Sequence, residues 1–135
     1  MKVHGRCHCG EIAYEADVDP QRTGICHCVD CQMLSGSAYR ASVTVDRDAF
    51  SITRGHPKVY VKTTAESGNR RAQAFCGNCG SPVYSANVVD PPTYTLRLGC
   101  IDQRANLPPK RQIWCSSALP WSTDLSAVQK FEHQS

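Results

Sequence analysis

The stretch FCGNCGSP, residues 75–82, sets Cys76 and Cys79 in a CxxC pair with a glycine after each. Such a turn brings two sulfurs together, and Gly77 and Gly80 adopt backbone angles that let amide N–H groups approach the thiolates. Two thiolates are half of a tetrahedral site. The stretch CHCGE, residues 7–11, offers the other half: on an extended backbone alternate side chains share a face, so Cys7 and Cys9 point one way and His8 the other. The doublets make one four-cysteine site, a structural metal that staples the start of the chain to its middle. The competing reading, four unrelated buried thiols, asks two ligand-like spacings to arise by accident. Sulfur-only ligands also suit iron, but zinc is the commoner mononuclear choice.

The chain has 135 residues, enough for one domain over residues 1–135. At 41% hydrophobic and 20% charged it reads as globular, without low-complexity runs or repeats other than the cysteine pairs. The start, Met-Lys-Val-His-Gly-Arg-Cys, lacks an apolar leader core, and no stretch approaches the roughly 18 apolar residues of a membrane span. A cytoplasmic protein with no membrane partner is expected. In a reducing compartment the nine cysteines read as metal ligands or catalytic groups, not disulfides. The formal charge is +3, and two zinc ions on seven thiolates would bring the loaded protein to neutrality, so no nucleic-acid partner is expected.

Short β-branched or aromatic runs recur between turn residues: Ile12–Ala16, Arg40–Val45, Phe50–Thr53, Val59–Thr63, Arg71–Phe75, Tyr94–Leu98 and Gln112–Trp114. This is all-β spacing, punctuated by Gly55-His56-Pro57, Ser67-Gly68-Asn69, Asp90-Pro91-Pro92 and Leu107-Pro108-Pro109. The one helical candidate is the tail, where Ser122, Thr123 or Asp124 could cap a short segment with Leu125, Val128 and Phe131 on one face.

A second cysteine group, ICHCVDC at residues 25–31, joins CxC and CxxC spacing and directs Cys26, Cys28 and Cys31 at one metal. It is one ligand short. Alternation turns His27 away, and Asp30 is a hard oxygen donor in a soft site. Cys100 or Cys115 would close the site as a second structural zinc, whereas both also read as small buried hydrophobes. The favoured reading leaves the fourth position to water or a substrate, as in catalytic zinc sites. Three thiolates make the ion a weak Lewis acid, better suited to an incoming thiol than to water; a bound thiol is a nucleophile at neutral pH, ready to attack an aldehyde carbon.

The order GRCHCGEIAYE, CHCVDCQMLSGSAYRA, GHPKVYV, RAQAFCGNCGSPVYS and IWCSSALPW closely resembles the glutathione-dependent formaldehyde-activating enzyme family, which includes the centromere protein V type, from about residue 5 to Trp121. The resemblance implies a zinc-stapled β-tent fold of antiparallel sheets. It places structural zinc at Cys7, Cys9, Cys76 and Cys79, and a second, open, catalytic zinc at Cys26, Cys28 and Cys31. It also implies a carbon–sulfur lyase type of activity in which glutathione, or another low-molecular-weight thiol, is joined to or released from formaldehyde or a similar small electrophile. The rival is a non-catalytic zinc-stabilised binding module or thiol carrier.

Glutathione carries two carboxylates, so Arg40, Arg70 and Arg71, near the cysteine segments, are candidate contacts set against plain surface charges. Ser35-Gly36-Ser37 reads equally as an anion loop or a plain turn. His27 is a candidate proton shuttle against a surface or supporting role. Trp114, Trp121, Tyr39, Tyr84 and Tyr94 read as core or pocket walls.

Overall fold

Alternation of apolar and polar residues organises the strands of the structure, a computed structural model that describes residues 1–134. Three strands, β1 (Lys2–Arg6), β2 (Ala13–Asp17) and β5 (Phe50–Arg54), form an antiparallel sheet in the order β1-β2-β5. The other seven are β3 (Thr23–Cys26), β4 (Arg40–Asp46), β6 (Lys58–Lys62), β7 (Arg71–Phe75), β8 (Pro82–Asn87), β9 (Thr93–Arg97) and β10 (Arg111–Ile113). They run β10-β3-β4-β9-β8-β7-β6, antiparallel except for the parallel pair of β10 and β3.

Val43, Val45 and Leu96 alternate with Ser42, Thr44, Thr95 and Arg97, which gives the seven-stranded sheet one apolar and one polar face. The apolar face joins a core with Val3, Ile12, Tyr14 and Val18 from the smaller sheet side. Aromatic rings knit the two: Phe50 lies 5.3 Å from Tyr14 and 4.8 Å from Tyr94, and Tyr94 lies 5.0 Å from Tyr84. Of the aromatics read as core or pocket walls, Tyr84 and Tyr94 pack half-buried against the core, whereas Trp121 is exposed.

All seven predicted runs fall on strands, each end within one residue. Three strands escaped prediction: β1 carries a glycine and a single β-branched residue, β3 is four residues long and interrupted by a glycine, and β8 begins with proline. The tail is a correction, since residues 122–134 contain no helix. Leu125, Val128 and Phe131 stay 55–57% exposed, so the apolar stripe finds no surface to pay for its ordering. Asp124 instead accepts hydrogen bonds from the N–H and Oγ of Ser126 and closes a local turn. The α-helix lies elsewhere, α1 at Val29–Ser35. Among the described residues no helix is long and apolar enough to cross a membrane.

Gly5 faces Tyr14 across β1 and β2, and a Cβ there would stand 2.0 Å from the ring carbon Cζ. The fully buried ring has no free space to retreat into. Gly5→Ala is therefore expected to cost about 1–3 kcal/mol or more, read as a lower denaturant midpoint at unchanged m-value; an unchanged midpoint contradicts this packing.

Candidate metal centres and the adjoining cavity

The turn after β1 and the turn after β7 have the same construction. Cys7 N–H donates to the Ile12 carbonyl and Gly10 N–H to that of Cys7; Cys76 N–H donates to Ser81 and Gly80 N–H to Cys76. Gly10 and Gly80 both sit at positive φ, 84° and 80°, where a side chain would be strained. This corrects the expected geometry at CHCGE: the backbone over Cys7–Cys9 is a turn, closed by the Gly10 bond, and it converges the sulfurs where an extended strand was expected. Cys7 Sγ lies 3.6 Å from Cys9 Sγ, which lies 3.7 Å from Cys76 Sγ, and all four sulfurs are within 4.8 Å of one another. A tetrahedron with metal–sulfur bonds of about 2.3 Å has sulfur–sulfur edges of about 3.8 Å, so the donor set fits one zinc ion.

Amide N–H groups donate to two of these sulfurs: Ile12 N–H to Cys7 Sγ at 3.3 Å and Cys79 N–H to Cys76 Sγ at 3.5 Å, although burial and the Cys79 and Cys7 thiols outweigh the amides at Cys76 and push it up to about 11. The Ser81 hydroxyl and N–H bring the Cys79 thiol down to about 5. Cys100 lies on this side of the molecule, where its thiol donates to the Pro82 carbonyl at 3.2 Å. Burial, then the charges of Cys7 and Cys79, push it up to about 11.

The second cluster forms where β3 gives way to α1. Cys26 ends the strand, Cys28 caps the helix with an extended backbone, and Cys31 follows in the first turn. Cys28 Sγ accepts from Cys31 N–H at 3.3 Å, the place usually taken by a Ser, Thr, Asp or Asn oxygen. That substitution hides the helix from sequence rules, and Gly36 at φ 63° ends it. Ser35-Gly36-Ser37 is thus the plain turn. The three sulfurs lie within 4.8 Å of one another, and among the described residues no further Cys, His, Asp or Glu joins them. Cys115 is exposed on the 3-10 turn Cys115–Ser117. Before an ion binds, the hydrogen bond from Cys31 lowers Cys26 and the same bond, with burial, raises Cys31. Asp30 faces away, lowered by Lys62 at 3.0 Å and Thr64 at 2.8 Å.

Alternation turns His27 inward. It is fully buried, its Nε2 2.8 Å from Gln112 Oε1 and its ring edge-on to Tyr39 at 5.4 Å. It does not line the cavity beside the cysteines, which leaves the proton-shuttle reading without access and makes His27 an anchor for the CHC segment.

That cavity, about 270 Å³, is walled by the three cysteines and by the polar face of the seven-stranded sheet. Cross-strand register explains its lining: Cys26 faces Arg40, Ser42 faces Arg97, and Gln73 faces Ser85, which faces Thr95. Arg40 and Arg97 are 5% and 8% exposed and donate to the same oxygen, Gln73 Oε1, at 3.2 and 3.0 Å. Arg97 also reaches Ser42, and Arg71 binds Asn87 and Ser85. Burial lowers Arg40 and Arg71; burial and then the Arg40 charge bring Arg97 down to about 9. Of the arginines anticipated, Arg40 and Arg71 reach the cavity and Arg70 does not. Arg97, Gln73 and Arg111 were missed, although the period-two patterns TYTLR and RAQ place Arg97 and Gln73 on the polar face with Arg71 and Thr95. Trp114 forms part of the wall. A larger concavity of about 510 Å³ lies toward Cys7 and Cys100 and touches none of the three cysteines.

Gln32 ties the cysteine loop down by donating to the carbonyls of His27 at 2.9 Å and Ser117 at 3.1 Å. Gln32→Ala is expected to cost about 1–3 kcal/mol and to speed loss of metal from the second cluster to a chelator, with the four-sulfur cluster retained; equal loss from both clusters contradicts the assignment.

A search among curated proteins finds no match. Among solved structures, a crystal structure of a Rhodobacter sphaeroides protein from a structural-genomics programme has the same fold. It superposes with a TM-score of 0.61 at 18% identity, over 83% of this chain and 99% of that one. The profile of the glutathione-dependent formaldehyde-activating enzymes matches residues 2–117, so both cysteine clusters and the arginine-lined cavity lie within it, and the chain belongs to that family.

Proposed function

We propose that Cys7, Cys9, Cys76 and Cys79 hold a structural zinc, and that Cys26, Cys28 and Cys31 hold a second zinc at which a small thiol, glutathione in the family's namesake reaction, is joined to formaldehyde or a similar electrophile. The observation that carries this is the second cluster itself: three sulfurs within 4.8 Å, beside a cavity, with no fourth protein ligand among the described residues. A zinc ion there supplies thiolate character to an incoming thiol at neutral pH.

The chain's own residues set the conditions for that chemistry. Amide donation to Cys28 and the Gln32 anchor hold the ligand loop in shape. The cationic wall favours an anionic thiolate over the neutral thiol. In the addition, the sulfur lone pair forms the carbon–sulfur bond, the carbonyl π pair moves to oxygen, and that oxygen takes a proton from water. The reverse step cleaves the same bond, which is the lyase direction. Free cysteines in such number also fit a reducing, cytoplasmic setting.

X-ray absorption on protein carrying zinc only at the second cluster, obtained with the first cluster filled by cadmium, tests the reading. Addition of glutathione is expected to raise the sulfur count at zinc from three to four, and Cys28→Ser is expected to lower thiol-dependent formaldehyde turnover at least 100-fold. Four sulfurs before glutathione is added would sink the open-site reading. Thiol binding without turnover would identify a carrier.

A further inference from the structure

The cavity wall contains an excess of buried positive charge that neither the fold nor the metal explains. Of its six cationic side chains, Arg22 pairs with Asp46 and Lys62 with Asp30. Arg40, Arg71, Arg97 and Arg111 have no carboxylate within ion-pair distance among the described residues, and no Asp or Glu lines the cavity. Buried cations are ordinarily paired, because desolvating a lone charge costs several kcal/mol. Here two of them are more than nine-tenths buried and share one neutral acceptor, Gln73 Oε1. The Nε groups of both Arg40 and Arg97 are buried without any hydrogen-bond partner.

A counter-charge role toward the metal explains only part of this. Three thiolates on a divalent ion leave one negative charge, which one arginine balances. Arg40, Arg71 and Arg97 bring three, and Arg71 is fixed through Asn87 and Ser85, away from the sulfurs. Two positive charges then remain without a counter-charge in the cavity wall, around a space of about 270 Å³. That is below the roughly 300–1,000 Å³ of pockets that enclose drug-sized ligands, so it receives part of a larger molecule or the whole of a very small one. Guanidinium groups present planar, paired donors that match carboxylates.

Building on the thiol chemistry proposed above, we propose that Arg40, Arg71 and Arg97, gathered on Gln73 and Ser85, form a receptor for a carboxylate borne by the small molecule that reacts beside Cys26, Cys28 and Cys31. The carboxylate belongs either to the thiol, as in glutathione, or to the electrophile, as in a 2-oxo acid such as glyoxylate. The receptor holds the reacting molecule by its carboxylate and turns its reactive end toward the metal.

The experiment is a titration of zinc-loaded, nitrogen-15-labelled protein, followed at the arginine Nε–H resonances. The titrants are glutathione, glutathione diethyl ester, which lacks both carboxylates, and glyoxylate. Saturable shifts of the Arg40 and Arg97 signals are expected with glutathione, glyoxylate or both, and not with the ester; which of the first two acts identifies the source. Gln73→Glu puts an internal carboxylate where the two arginines already converge. It is expected to weaken that binding at least tenfold while zinc content is kept and Tm is kept or raised, and Arg71→Met to weaken it about fivefold. Equal shifts with the ester, no shift with either carboxylate-bearing ligand, or unaltered binding in Gln73→Glu overturns the receptor. The sulfur count at zinc is independent of these signals: a receptor without a fourth sulfur would refute the thiol chemistry, and a fourth sulfur without arginine shifts would refute the receptor alone.

Discussion

The structure depends on four sulfurs being brought to one point from turns 67 residues apart in sequence, as the contact of Cys9 with Cys76 shows. One turn follows the first strand of the smaller sheet and the other joins β7 to β8 in the larger. Of the fully buried side chains of the core only Tyr14 is a large aromatic, and valines make up much of the rest. A domain of this size buries a limited share of its surface, so an ion bound by these four sulfurs would add folding free energy to that of the apolar core. An ion held there would also help to fix how the sheets meet, because Cys7 and Cys76 are themselves buried members of the core cluster.

With that junction fixed, the seven-stranded sheet is free to differ on its two faces. The face toward the smaller sheet carries Val43, Val45, Leu96 and the aromatic rings. The other carries Ser42, Thr44, Thr95, Gln73 and the arginines, and it would be an ordinary solvated surface if it were flat and open. It is not open, since Arg40 and Arg97 are nearly buried. The second cysteine cluster stands at the rim of this polar face because Cys26 is paired with Arg40 across β3 and β4. One register therefore sets both the metal ligands and the cationic wall.

The legible parts of the fold were those with strong local signals. Period-two runs in β-branched residues located seven strands, and CxC and CxxC spacings located both clusters. What escaped has physical reasons. A helix of seven residues capped by a cysteine carries no ordinary start signal, and the tail's apolar stripe has helical spacing without a surface to bury it. Arg97 and Gln73 carried a clear alternation, yet alternation alone does not distinguish a polar face in water from one enclosed in a cavity; that depends on which strands become neighbours. The turn at Cys7 shows the same limit, since its sulfurs converge as expected by a different backbone path.

A set of arginines without carboxylate partners is a cost in the free protein, and it occurs beside a cluster of only three sulfurs. Burial, and then the neighbouring Arg40 charge, lower the proton affinity of Arg97, and the Nε groups of Arg40 and Arg97 lack partners. A chain selected only for stability would replace Gln73 with glutamate, one atom different, and satisfy both cations at once. Keeping the neutral amide there fits a site whose missing partners arrive with the substrate. A ligand that brings a thiolate and a carboxylate together would complete the coordination and the charge pairing in a single binding event.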